Sequence, residues 1–174
     1  MKPDLDALGL AALTLSTSAA TLLVPDLTLA ALAHPAWSAA VSTPLLFTLI
    51  VVLRGRGRRG TSLERYVFAA FLALMPWVYV GSRLFTGGSA EWLWIELGGQ
   101  LIFAALAVAG VRSSPWFLVA GIAAHGVLWD AWHYGRTPFM PDWYAVACLI
   151  IDVGWAVYAA TQVRAWGARK AVSA

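Results

Sequence analysis

The second half of the chain sets ionisable and amide side chains inside long apolar runs. Glu96 and Gln100 are four residues apart, His125, Asp130 and His133 share one run, and Asp152 follows Cys148 by one helical turn. Such groups are costly within a membrane span and usually face the protein interior or a water-filled cavity, which makes them the default functional candidates. Imidazole nitrogens and carboxylate oxygens are good ligands for Zn²⁺, Fe²⁺ or Mn²⁺, and three protein ligands leave a position for water. Water activated in that way can hydrolyse a lipid ester, amide or related bond, with a spare carboxylate handling protons. This reading takes His125, His133 and Asp152 as ligands of a divalent transition metal such as zinc. Glu96 and Asp130 become the catalytic carboxylates, and Asp130 has the alternative task of orienting the His133 imidazole from behind. Gln100, Trp129 and Cys148 complete the candidate cavity.

On a helix of 100° per residue, His133 lies 80° from His125 and Asp130 another 60° beyond, an arc of about 140° on one side of the fifth predicted span. At ~1.5 Å per residue, Gln100, His125 and Asp152 all lie roughly 12–13 Å below the outer edge and share a layer. Glu96, Asp130 and His133 form a second layer nearer that edge. Two other readings suit the same groups: polar residues that hydrogen-bond the helices together, as in a non-catalytic scaffold or assembly factor, and a proton, ion or small-solute pathway in a transporter.

Those residues need helices embedded in lipid to position them. Of 174 residues, 60% are hydrophobic and 12% charged, about half the usual charged content of a soluble domain, and mean hydropathy is +0.71. Six spans of about 20 residues use nearly the whole chain, at about 7–24, 33–53, 66–84, 92–111, 116–133 and 143–163, giving an all-α transmembrane bundle in a single membrane domain. Pro25-Asp26 ends the first run, which reads as a span and not as a cleaved signal peptide, although Ala31-Leu32-Ala33 resembles a cleavage site. Pro76 kinks the third span, provided that a neighbour satisfies the carbonyl it frees.

An N-terminus inside places Lys2, Arg54, Arg56, Arg58, Arg59, Arg65, Arg112, Arg164, Arg169 and Lys170 on the cytoplasmic side, and only Arg83 and Arg136 outside. Ten against two fits a bacterial inner-membrane protein with both termini cytoplasmic. Arg83 also stands near enough to Glu96 and Asp130 to neutralise either. The Arg54–Gly60 tract is a topology determinant that faces anionic lipid, and no nucleic-acid partner is expected. Partners are membrane lipids and a lipid-like or small-molecule ligand. Trp92, Trp94, Trp132, Trp143 and Tyr144 form an outer aromatic belt, with Trp116 and Trp166 at the inner interface. Trp77, Trp129 and Trp155 lie deeper, and His34 sits solvated beside Pro35. The pairs Ser16/Ala20 and Ala105/Ala109 read as close helix contacts. One cysteine excludes an intramolecular disulfide and a thiolate zinc cage.

The stretch His125-Gly-Val-Leu-Trp-Asp-Ala-Trp-His133, with Pro138, Pro141, Trp143, Cys148 and Asp152 after it, resembles the C-terminal signature of small bacterial integral membrane proteins grouped as a domain of unknown function. That resemblance implies membrane residence and marks His125, Asp130, His133 and Asp152 without naming a reaction. At fold level the chain is also similar to the membrane-embedded zinc hydrolases of the alkaline ceramidase and adiponectin receptor group, which use intramembrane His and Asp. It departs from them in lacking a closing histidine pair on the last helix and in having one fewer span.

Overall fold

A computed structural model describes residues 5–23 and 34–167, all helix and connecting turns with no strand among them. The elements are α1 (Leu5–Thr21), α2 (Pro35–Arg54), α3 (Arg58–Leu74), α4 (Pro76–Thr86), α5 (Ala90–Arg112), α6 (Trp116–Ala124), a π-helical turn (His125–Asp130), α7 (Ala131–His133) and α8 (Asp142–Gly167). Among the described residues, four helices are long and apolar enough to cross a membrane, with α3 and α4 taken as one: Pro35–Arg54, Thr61–Thr86, Ala90–Arg112 and Asp142–Gly167. With α1 and the continuous Trp116–His133 segment they make six helices. The Pro25-Asp26 turn, the Ala31-Leu32-Ala33 stretch, the start of the second apolar run, Lys2, Arg169 and Lys170 lie outside the described residues.

Two boundaries differ from expectation in the same way. The third helix starts at Arg58 and the last runs to Gly167, several residues beyond the apolar runs, where Glu64, Arg65 and Trp166 find polar partners on neighbouring helices. Arg65 caps two helix ends together, donating from its guanidinium to Gly110 O (3.1 and 2.6 Å), Val111 O (2.6 Å) and Trp166 O (3.2 Å). Those carbonyls belong to last turns that have no intrahelical donor. One end of the bundle thus gathers the start of α3 with the ends of α5 and α8.

Pro76 removes a backbone donor from the helix interior, and the chain bridges α3 and α4 through Met75, which keeps helical φ/ψ of −52° and −50°. Gln100 Nε2 donates to Ala73 O at 2.8 Å beside this break, next in sequence to Leu72, whose carbonyl the proline deprives of its helical donor. The amide predicted to face the cavity therefore serves the backbone of α3.

Helices that associate in lipid, whose tails are as apolar as leucine, rely on close packing. α1 lies along α8, and a Cβ at Gly154 would run into Ser16, as one at Gly9 would into Thr161. Ser16 is thus a close helix contact as read from sequence. Ala105 instead faces outward, and the tight positions on α5 are Gly99 against Trp129 and Gly110 against Leu118. Phe68, Leu72, Ile122, Trp155 and Tyr158 fill the core, and Phe68 lies with its centroid 5.2 Å from that of Trp155 and 5.5 Å from that of Tyr158.

Several surface expectations change. Trp77 is exposed, and Trp166 is buried, where its indole donates to Glu64 Oε2 at 3.1 Å. His34 caps α2, its Nδ1 accepting from the Ala36 N–H at 3.2 Å. Arg83 reaches neither Glu96 nor Asp130. It donates to Gly88 O (2.6 Å) and Ser89 O (3.0 and 2.9 Å), pinning a turn in which Gly87 and Gly88 have φ of 79° and 132°, values that favour glycine.

Candidate metal centre

The π-helical turn decides how the polar residues meet. In a regular α-helix His125 and Asp130 would stand about 140° apart, whereas a π turn closes i→i+5 hydrogen bonds and stacks residues five apart. Asp130 Oδ2 accordingly lies 3.2 Å from His125 Nδ1. From α8, Asp152 Oδ2 approaches the same nitrogen to 2.8 Å. Gly126 makes room for it, since a Cβ there would stand 2.7 Å from the Asp152 Cβ. One ligand-capable atom from each of His125, Asp130 and Asp152 lies within 4.8 Å of the others. All three side chains are buried, and the group could hold a metal ion.

Asp130 thus sits among the ligand-type residues, and His133 sits apart. His133 Nδ1 is 2.7 Å from Trp129 O and Nε2 is 2.8 Å from Glu96 Oε1. A backbone carbonyl only accepts, so Nδ1 donates, and neither ring nitrogen is left for an ion shared with His125. The second layer read from sequence reduces to this Glu96–His133 pair. Glu96 Oε2 has no hydrogen-bond partner.

Tyr79, not singled out in the sequence, joins the two groups. Its hydroxyl donates to Asp130 Oδ1 at 2.7 Å, and its ring centroid lies 4.3 Å from that of His133. A deep tyrosine whose hydroxyl needs a partner was the available signal. Trp129 packs over Gly99 and beside His133, with ring centroids 4.9 Å apart.

Electrostatics bear on what the cluster holds. Two carboxylates and a neutral imidazole sum to a formal charge of −2, a heavy burden for buried groups unless protons or a cation compensate. One divalent ion would balance it. His125 Nε2 and Asp152 Oδ1 are buried without hydrogen-bond partners, so the hydrogen bonds present do not use the full ligand capacity of the group.

Two hollows flank the cluster. One, of about 350 Å³, lies between α2, α3 and α8, and its wall includes Asp152, Cys148 and Tyr144. The other, about 210 Å³, is lined by Asp130, Tyr134 and, on α8, Ala145, Val146 and Leu149. Cys148 is a free thiol on the first.

A separate polar network occupies the other end of the bundle, and sequence reading missed it by treating the arginines purely as topology signals. Buried Glu64 accepts from the Tyr158 hydroxyl through Oε1 and from Trp166 through Oε2. Arg54 donates to Tyr158 OH at 2.9 Å and pairs with Asp6 at 3.3 Å, and Gln162 donates to Asp6 at 3.0 Å. Four helices are tied by these side chains.

No protein-family model matches the chain, and no match was found among curated proteins or solved structures.

Proposed function

We propose that this chain is a membrane-embedded, metal-dependent hydrolase acting on a lipid-like substrate, with His125, Asp130 and Asp152 holding a divalent transition metal such as Zn²⁺. The observation that carries the reading is the convergence of an imidazole and two carboxylates at one buried point, next to a hollow with Asp152 on its wall. Three protein ligands suit a catalytic rather than a closed structural site. The bound ion would supply Lewis-acid activation of water. Tyr79 fixes the carboxylate of Asp130, and the Glu96–His133 pair, joined by a 2.8 Å hydrogen bond, is the proton acceptor and donor. The proposal includes residence in a bacterial inner membrane, with both termini cytoplasmic as the excess of Lys and Arg on that side supports.

Metal analysis of protein purified without chelator, alongside His125→Ala and Asp152→Ala, is the direct test. About one equivalent of metal in the wild type, lost in both variants, is expected. Equal metal-free preparations of all three would refute the assignment.

A second reading is favoured by the contact of the cluster with two separate hollows, Asp152 on the wall of one and Asp130 on the wall of the other. Tyr79, Asp130, His125 and Asp152 form a chain with contacts of 2.7, 3.2 and 2.8 Å, a suitable relay for protons in a carrier. Proton flux in proteoliposomes that vanishes in Asp152→Asn, in protein without metal, would select it.

A further inference from the structure

The larger hollow has a composition that says what enters it. Its walls come from α2, α3, the start of α4 and α8, and they are apolar along Leu46, Val67, Phe71 and Val78, with the hydroxyls of Ser42 and Thr43 the polar groups on the α2 side. The rim residues Leu49 and Leu74 are exposed, so in a membrane the opening faces lipid and not water. Inside, the wall ends at Tyr144, Cys148 and Asp152. Asp152 is completely buried and its Oδ1 has no hydrogen-bond partner. A volume of about 350 Å³ is at the small end of the ~300–1,000 Å³ range of ligand pockets. It suits one hydrocarbon chain, not two.

We infer that this cleft binds a single-chain amphiphile which enters sideways from the bilayer between α2 and α3, its chain along α3 and its polar linkage against Asp152. That such a molecule is also the substrate rests on the hydrolase reading; that it binds does not. An ester or amide linkage offers the small polar group that the inner end accommodates, and a two-chain lipid or a free water-soluble ion does not match the apolar walls and their lateral opening.

A photoreactive probe separates these outcomes. Full-length protein in phosphatidylcholine nanodiscs is irradiated with an N-methyl amide of a twelve-carbon fatty acid bearing a diazirine at the chain end, and cross-linked residues are mapped by mass spectrometry. Cross-links should concentrate on Leu46, Val67, Phe71 and Leu74. Unlabelled amide should abolish them, and a diacylglycerol should not. Ala70→Phe, which fills the cleft from an exposed position, should lower the yield several-fold.

Equal labelling of the outward-facing Leu101, Ile102 and Val108 on α5 would overturn the cleft, as would competition by diacylglycerol or indifference to Ala70→Phe in folded protein. Metal content is measured on the same samples. Cleft-confined labelling of a protein that binds no metal retains the amphiphile site and removes the hydrolase.

Discussion

Tyr79 donates its hydroxyl proton to Asp130 Oδ1 at 2.7 Å, linking the helical piece after the Pro76 break to the carboxylate held by the π turn. Partners of this kind fix metal-ligating carboxylates, and their removal typically costs about 10–100-fold in metal affinity or activity. Tyr79→Phe keeps the ring contact with His133 and deletes only the donor. Zinc affinity measured by competition with a chelating dye should fall within that range while the protein stays folded. Unchanged affinity would show that Asp130 is not a ligand.

The six helical segments were legible because apolar runs of span length and proline or glycine turns are strong signals, and the observed helices follow them closely between residues 35 and 167. Which residues meet was less legible. A wheel of uniform 100° steps carries no hint of a π turn, so it left Asp130 with His133 when the backbone stacks it over His125. Spacing shows the face on which Gln100 lies but not the bond that its amide nitrogen makes to Ala73 O beside the proline break. Arg54 and Arg65 satisfy a charge rule and bond helix-end groups at once, and only the first property can be read from sequence.

Glu64 should govern stability without touching the candidate metal centre. Both of its oxygens accept hydrogen bonds, from Tyr158 and Trp166, and replacing it with leucine leaves two buried donors unmatched on that side. Breaking a buried charged network by removing one member costs about 3–5 kcal/mol. Glu64→Leu is therefore expected to lower the unfolding midpoint in detergent by several degrees. The cycle with Trp166→Phe should return a coupling of roughly 0.5–3 kcal/mol. Metal content per folded molecule should equal that of the wild type, and a loss of metal would mean that the two ends of the bundle are one cooperative site.

Topology follows from where the arginines are held. Arg65 bonds carbonyls at the ends of α5 and α8, and Arg54 at the end of α2 meets Asp6 at the start of α1 and Tyr158 on α8. These residues mark one end of the bundle, and Arg112 and Arg164 lie in the last turns of α5 and α8 at that same end. Arg83 and the Gly87–Ser89 turn belong to the opposite end, as does Arg136, which follows α7. Since Lys and Arg counts near span ends set orientation, the Arg65 end is expected to face the cytoplasm. A reporter active only in the cytoplasm should be active when fused after Ala174 or inserted at Ser113, and silent when inserted at Gly88. Activity at Gly88 with silence at Ser113 would invert the orientation, and it would turn the Glu96–His133 pair and Asp130 toward the cytoplasmic half of the membrane.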